Sequence, residues 1–311
     1  MTKLGCLRIC ELITLAEFES LAPVPFDLQL VRVGVRNIES PTFGTDLLRF
    51  TSTELSDRMD VQFHLLVPNN DNKLYDEWKG ALDRELSPSL RNRFDFVRAR
   101  LENLPNTKFD AIVSPANSYG RMDGAFDDAI SKLLSPAGDY FALTRFVQAE
   151  LYKKYRGFAG PGSASALLLP DNVIDSQKGT TGCKYLILCP TMHWPQDISW
   201  DRDIVYNTMW SLLNEIERHN SNARESNAGN YNSRVPHHEP ETDKPIISSV
   251  LMPGLGTGTG KVPQDRFASQ FALAVKNFDE AIHMPEKWSS LKWDDVQPII
   301  DKLESTWSAQ S

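Results

Sequence analysis

Short apolar runs alternate with longer amphipathic segments along this chain, and this alternation limits the fold more than any other feature. A short continuous apolar run is typical of a strand buried on both faces, and apolar positions three and four residues apart are typical of a helix. Strands are predicted over residues 61–67, 94–104, 109–113, 163–169, 185–189 and 246–252, and helices over residues 73–86, 125–134, 141–155, 200–218, 263–278 and 288–303. The alternation predicts an α/β fold, a three-layer αβα sandwich around a mixed, mostly parallel sheet.

Length and composition favour one large domain. The chain has 311 residues, of which 41% are hydrophobic, so it can bury a large core. We expect a single domain over residues 61–311, with residues 1–60 packed on it as an N-terminal extension. Residues 219–245 are rich in Asn, Ser, Pro and charged side chains and have almost nothing to bury, so we predict an exposed insertion there.

The charge balance and the cysteines narrow the class of function. A formal net charge of −8 at pH 7 argues against a nucleic-acid partner, because a surface that binds a polyanion normally carries a basic excess. No stretch has the composition of a membrane span or a signal peptide, so we expect no membrane association. The four cysteines form no CxxC pair, which predicts reduced thiols inside a cell, in the cytoplasm or the nucleus. No metal and no cofactor are expected.

A glycine-rich stretch, GLGTGTGKVP over residues 254–263, lies between an apolar run and an amphipathic one. Glycine at alternate positions leaves backbone N–H groups unshielded, and the next helix adds the positive end of its dipole, so an anionic ligand is favoured. The stretch is not a Walker A loop, because Leu255 and Val262 stand where Gly and Ser or Thr are needed. It is not a dinucleotide fingerprint, because Thr259 replaces a required Gly. By itself it predicts either a phosphate-binding loop or a glycine-rich turn without a ligand.

A second motif, FDAIVSPANSYGRMDGAFDDAI over residues 109–130, leaves a predicted strand and enters a predicted helix. It resembles the macro domain, whose signature reads DAIVNAAN, followed by a glycine-rich loop and by GVDxAI at a helix start. The stretch at residues 254–260 resembles the second phosphate loop of that family, and Cys189-Pro190 takes the place of its Gly-Pro. The resemblance covers residues 95–280 and is to the divergent, stand-alone macro-like proteins.

The resemblance implies a cleft that binds ADP-ribose, with the diphosphate between the two loops. Asn117 is then expected to hold the hydroxyls of the distal ribose and Asp127 to lie near that ribose or an attacking water, so both are candidate catalytic residues. The candidate ligand-binding residues are Ser118, Arg121, Asp123, Gly124, Ala125, Phe126, Pro190, Gly254, Leu255, Gly256, Thr257, Gly258, Thr259 and Gly260. The acidic residue with which the family contacts adenine is replaced by Arg100, and either Glu102 or Asn69 is a candidate substitute for it.

Two of these assignments have simpler alternatives. Asn117 at a strand end can cap a turn with its own side chain, and Asp127 in a first helical turn is favoured by the helix dipole without any catalytic role.

The sequence leaves three functions open. The first is a hydrolase that removes a phosphate or an ester from the distal ribose of an ADP-ribose derivative, and the second is a non-catalytic module that binds ADP-ribose or an ADP-ribosylated protein. The third is a doubly wound nucleotide enzyme such as a methyltransferase.

Overall fold

The computed structural model describes residues 60–173, 182–232 and 244–307. The N-terminal extension predicted for residues 1–60 therefore lies outside the described residues, apart from Asp60. The strands are β1 (Gln62–Val67), β2 (Phe94–Arg98), β3 (Ala111–Ser114), β4 (Ser165–Leu168), β5 (Tyr185–Leu188) and β6 (Ser249–Met252). The helices are α1 (Asn72–Glu85), α2 (Pro88–Arg91), α3 (Ala125–Leu134), α4 (Ala142–Tyr155), α5 (Ile204–Asn232), α6 (Gln264–His283), α7 (Pro285–Trp288) and α8 (Trp293–Glu304).

The described strands form one sheet in the order β2-β1-β6-β3-β5-β4. β1 pairs in parallel with β2 and β6, and β3 pairs in parallel with β6 and β5. β4 is antiparallel to β5, with Ser165 opposite Leu188. The mixed, mostly parallel sheet that the alternation predicts is therefore confirmed.

Helices cover both faces of the sheet. α1, α5 and α6 pack on one face, and α3 and α4 pack on the other. Because successive residues of a strand point to opposite faces, Ala111 and Val113 of β3 join the first apolar cluster whereas Ile112 joins the second. Each strand in the middle of the sheet is buried on both sides, which is why its sequence is a continuous apolar run. The fold is an αβα sandwich.

Two predicted elements differ from the structure near their ends. The strand predicted over residues 94–104 stops at Arg98, and the chain continues as a 3₁₀ turn at Leu101–Asn103. Leu101 is buried from that turn, so its apolar character reflects packing rather than strand geometry. The helix predicted over residues 288–303 is divided into α7 and α8.

Helix α5 extends into the segment predicted to be an exposed insertion. It continues to Asn232, and Ala223 is fully buried. The side-chain amide of Asn220 donates to the carbonyl of Ile247 and accepts from its N–H, both at 2.8 Å. Asn227 and Lys244 form a second reciprocal pair at 3.2 and 3.0 Å. The structure differs from the prediction here because amide side chains, rather than apolar ones, fasten this part of the helix. Residues 233–243 of the predicted insertion lie outside the described residues.

Candidate functional site

The chain leaves the neighbouring strands β3 and β6 towards opposite faces of the sheet. From β3 it continues to α3, and from β6 it continues to α6, which packs on the other face. At such a point a parallel sheet opens a crevice outside the carboxyl ends of its strands. Two loops diverge around this crevice: loop 1, residues 115–125 after β3, and loop 2, residues 253–263 after β6.

The crevice is a cleft of about 440 Å³, a size within the usual range for small-molecule sites. Both loops line it. The predicted site residues among its lining are Asn117, Gly124, Ala125, Phe126, Asp127, Gly254, Gly256, Thr257, Gly258, Thr259 and Gly260. The two motifs, more than a hundred residues apart in sequence, therefore face the same ligand-sized space.

The glycines of loop 2 are needed for different reasons. Gly256 has a φ of +68°, a backbone conformation that residues other than glycine rarely adopt. A Cβ added to Gly260 would lie 2.6 Å from the carbonyl oxygen of Gly256 and 2.8 Å from Ile198. A Cβ added to Gly258 would have no atom of the described chain within 4 Å. Internal packing therefore explains Gly256 and Gly260, whereas Gly258 borders open space of the cleft.

Both loops have backbone N–H groups without an acceptor among the residues that the structure describes. The N–H groups of Lys261 and Val262 donate back to the carbonyls of Gly258 and Gly256. Within the described residues, no backbone N–H of residues 254–260 donates a hydrogen bond, and neither do those of Ala125 and Phe126 at the start of α3. Unpaired N–H groups at a helix N-terminus, with the positive end of the dipole, favour a bound anion.

Loop 1 is held by side chains. Met122 is fully buried in the second apolar cluster. Its N–H donates to Thr144 Oγ1 of α4 at 3.2 Å, and its carbonyl accepts from Ser131 Oγ of α3. The chain then reaches α3 through Ala125 at a φ of +47°, in the left-handed region. The large residue in the middle of loop 1 is thus an anchor that fixes the backbone beside the cleft.

Asn117 lines the cleft, but its side chain is used within loop 1. Oδ1 accepts from the N–H groups of Tyr119 and Arg121 at 3.1 and 3.3 Å, and Nδ2 donates to the carbonyl of Arg121 at 2.8 Å. This is the turn-capping role that the sequence left open as the alternative. One N–H of the Nδ2 group is left for a ligand, which limits the expected role of Asn117 in holding ribose hydroxyls.

Asp127 is a buried carboxyl in the wall of the cleft. It is 6% exposed, and Ser114 Oγ donates to its Oδ1 at 2.6 Å. Burial disfavours the charged form and raises the pKa of Asp127 to about 7, while the Ser114 hydrogen bond works in the opposite direction and Asp123 adds to the rise. A carboxyl that is half-ionised near neutral pH is suited to accept or donate a proton.

Arg121 and Asp123 form an ion pair with each other outside the cleft lining. The Arg121 guanidinium donates to the Asp123 carboxylate, which raises the pKa of Arg121 and lowers that of Asp123. The Arg121 side chain is 54% exposed, and neither residue lines the cleft. Both were predicted to bind the ligand, but in this arrangement the charge of each residue is matched by the other.

Three other predicted ligand-binding residues belong to the scaffold instead of the cleft lining. Ser118 is fully buried, and both its N–H and its Oγ donate to the carbonyl of Met192. The carbonyl of Pro190 accepts from the N–H of Gly162. Leu255 is fully buried in the first apolar cluster. These residues position the loops without reaching the space between them.

Sequence reasoning missed three polar residues of the cleft: Asp71, Thr191 and Gln264. Asp71 caps α1 by accepting from the N–H of Leu74 at 3.0 Å, and its second oxygen accepts from Gln264 Nε2 at 2.9 Å. Thr191 is 1% exposed, and its Oγ1 has no hydrogen-bond partner within the described residues. Asp71 and Thr191 each follow the end of a parallel strand, and that position is the signal that could have identified them.

The cleft crosses the carboxyl ends of the five parallel strands in spatial order. Arg100 and Glu102 follow β2, Asp71 follows β1, the two loops follow β6 and β3, and Thr191 follows β5. Apolar side chains line both ends of the cleft, and they are Leu66, Leu74, Ala99 and Leu101 towards β2 and Pro115, Ala116, Phe126 and Met192 towards β3 and β5. The site therefore suits an elongated ligand with an anionic middle, flanked at each end by apolar and polar side chains.

The described residues contain neither a metal site nor a membrane-spanning helix. In the described part of the chain, no three His, Cys, Asp or Glu side chains are grouped so that they could hold a metal ion. Over the same residues, no helix has both the length and the apolar character that crossing a bilayer requires. In comparisons with known proteins, no protein-family model and no curated protein match the chain.

Proposed function

We propose that the cleft binds ADP-ribose or a derivative of it. The observation that carries this proposal is the set of unpaired backbone N–H groups that two loops, after β3 and β6, contribute to one cleft. A diphosphate has oxygen acceptors on both phosphorus atoms, so it can accept from both loops at once. The macro-domain resemblance of the two loop sequences supports the same ligand.

The order of residues along the cleft supports one arrangement of such a ligand. A planar base would lie at the β2 end, where Leu66 and Leu101 line the wall. The diphosphate then lies between Gly258 and the start of α3, and the distal ribose lies at the β3 and β5 end beside Asp127. Arg100 stands at the base end in place of the family's acidic residue, so base contacts there differ from those of the family.

Calorimetric titration with ADP-ribose tests the binding proposal. We expect wild type to bind and Gly258→Val to bind at least tenfold more weakly, because the new side chain occupies cleft space without meeting the protein. Gly160→Val is the matched control, since a Cβ on Gly160 also meets no atom of the described chain within 4 Å and Gly160 does not line the cleft. No heat from wild type, or equal affinity in wild type and Gly258→Val, would contradict the proposal.

We further propose that the protein hydrolyses a phosphate or an ester at the distal ribose. In this step ionised Asp127 accepts a proton from a water molecule as its oxygen attacks the phosphorus or the acyl carbon. The bond from that atom to the ribose oxygen breaks, and the ribose oxygen takes up the proton from Asp127 and leaves as a hydroxyl, which returns Asp127 to its ionised form. Backbone N–H groups of the loops stabilise the negative charge that develops. The raised pKa of Asp127 supports this role.

The pH dependence of turnover tests the role of Asp127. A general base must be deprotonated, so the rate is expected to rise with pH through about 7 and then level off. Asp127→Asn should still bind ADP-ribose and lose turnover of ADP-ribose 1″-phosphate and of O-acetyl-ADP-ribose. If Asp127→Asn retains full activity, the carboxyl is not the base. If wild type binds ADP-ribose but turns over none of these substrates, the protein is a non-catalytic binding module, the alternative function.

The folded-state pKa of Asp127 also predicts a stability effect that needs no ligand. The native carboxyl binds a proton that the unfolded one has lost between pH 4 and pH 7, so the free energy of unfolding falls as pH rises through that window. Asp127→Asn should remove this contribution to the slope of unfolding free energy against pH.

An intracellular location remains part of the proposal, supported by the free thiols of Cys183 and Cys189 in the described chain.

A further inference from the structure

Thr191 carries a buried hydroxyl that no group of the described residues satisfies. The residue is 1% exposed and lines the cleft, and its Oγ1 has no hydrogen-bond partner within the described residues. A buried hydroxyl without a partner destabilises the folded state, and valine would fill the same space without that penalty. Nothing in the packing of the described chain therefore explains a hydroxyl at this position.

The backbone of Thr191 is fixed by the sheet. Its N–H donates to the carbonyl of Ala116 at 3.0 Å, and the next residue, Met192, forms a parallel bridge with Asn117. Loop 1 and the segment after β5 are thus held side by side, with the Thr191 side chain in the wall of the cleft. The β5 end lies opposite the β2 end, where Arg100 and Glu102 are found.

We infer that Thr191 is a specificity-determining residue that hydrogen-bonds an oxygen of the distal ribose or of its substituent. This inference rests on the proposed function and deepens it, because it assigns a protein group to the part of the ligand that distinguishes ADP-ribose from ADP. A threonine hydroxyl can donate to one oxygen and accept from another, so it suits a ribose hydroxyl or a phosphate oxygen at that place. A site built to bond a hydroxyl rejects an analogue that lacks it, because the buried group is then left unpaired.

The test compares ADP-ribose with ADP, which lacks the distal ribose, in calorimetric titrations of wild type and Thr191→Val. We expect the substitution to weaken ADP-ribose binding about tenfold, the change for one lost hydrogen bond, and to leave ADP binding unchanged. Thr208→Val is the matched control, since Thr208 is also fully buried but its Oγ1 donates to the carbonyl of Ile204, outside the cleft. It should leave both affinities at wild-type values.

A second readout needs no ligand. Without ligand, Thr191→Val should have a Tm equal to or above that of wild type, because an unpartnered hydroxyl is removed. Thr208→Val should have a lower Tm, because a satisfied bond is lost. A clear fall in Tm for Thr191→Val would show that the hydroxyl has a partner inside the protein and would overturn the inference.

The binding outcomes separate this inference from the proposed function. If wild type binds ADP-ribose and Thr191→Val binds it equally well, or loses ADP and ADP-ribose affinity equally, the inference fails and the proposed function stands. If wild type binds neither ligand, both fail.

Discussion

Loop 1 and loop 2 flank the same cleft and present the same kind of group, but they are built by opposite means. Loop 1 is fastened by side chains: buried Met122, bonded to two helices, and the amide of Asn117, bonded within the loop. Loop 2 is held by close packing of its backbone. Because Gly256 and Gly260 have no side chains, the two halves of the loop can lie against each other and against Ile198.

The difference shows that unpaired N–H groups can be held in place in two ways. Either large side chains anchor a loop from behind, or glycines let it fold tightly on itself. The first way is sensitive to loss of volume, and the second is sensitive to gain of volume. The two loops are therefore expected to fail under opposite kinds of substitution.

Met122→Ala should have the largest effect. Removing a fully buried methionine side chain costs about 2–5 kcal/mol of unfolding free energy, and the affinity for ADP-ribose should fall with it because loop 1 loses its anchor. Urea denaturation measures the first change and calorimetry the second. Met122→Leu, which nearly conserves volume, should lose less than about 1.5 kcal/mol. If Met122→Ala also lowers the unfolding free energy by less than about 1.5 kcal/mol, loop 1 is not anchored by this side chain.

Gly260→Ala should have the next largest effect. The added methyl group would meet the Gly256 carbonyl oxygen at 2.6 Å, and overpacking of this kind costs about 1–3 kcal/mol. Ile198→Ala relieves the side-chain contact but not the backbone one, and it leaves a cavity of its own because Ile198 is buried. The relief should therefore appear as a favourable coupling energy between the two substitutions in a double-mutant cycle, and not as a gain in stability. Gly160→Ala, measured by the same denaturation, should change stability little. A stable Gly260→Ala variant with normal affinity would refute the close-approach account of loop 2.

Arg121→Ala should have the smallest effect. The side chain is half-exposed, pairs with Asp123 and does not line the cleft, so its loss should change unfolding free energy by less than about 0.5 kcal/mol. The affinity for ADP-ribose should match that of wild type in calorimetry. A tenfold loss of affinity would instead mean that loop 1 rearranges and brings Arg121 to the phosphates.

The sequence predicted the parts of the molecule that depend on local pattern. Apolar runs such as residues 109–113 and 185–189 are continuous because their strands are buried on both faces. The meeting of the two loops could be predicted as well, because both follow strand ends and parallel strands share one carboxyl edge. Fold class and the position of the cleft are therefore encoded at short range.

The remaining features depend on contacts that no local pattern reveals. An asparagine at a strand end has the same chemistry whether it caps a turn or holds a ligand, so only the hydrogen bonds of the folded loop distinguish the two roles for Asn117. Met122 in a loop sequence carries no sign that two helices bond to its backbone. A single threonine after a strand, such as Thr191, belongs to no motif. Helix α5 extends beyond its predicted end because Asn220 forms two hydrogen bonds with Ile247, 27 residues further along the chain.

That last pairing, together with the one between Asn227 and Lys244, has a consequence for engineering. The amides of Asn220 and Asn227 fasten α5 to the chain that enters β6, at the amino-terminal edge of the sheet and opposite the cleft. These bonds do not require residues 233–243 to join their two sides covalently. A fluorescent reporter inserted between Asn232 and Lys244 should leave the fold and the cleft intact, which makes this position suited to domain insertion.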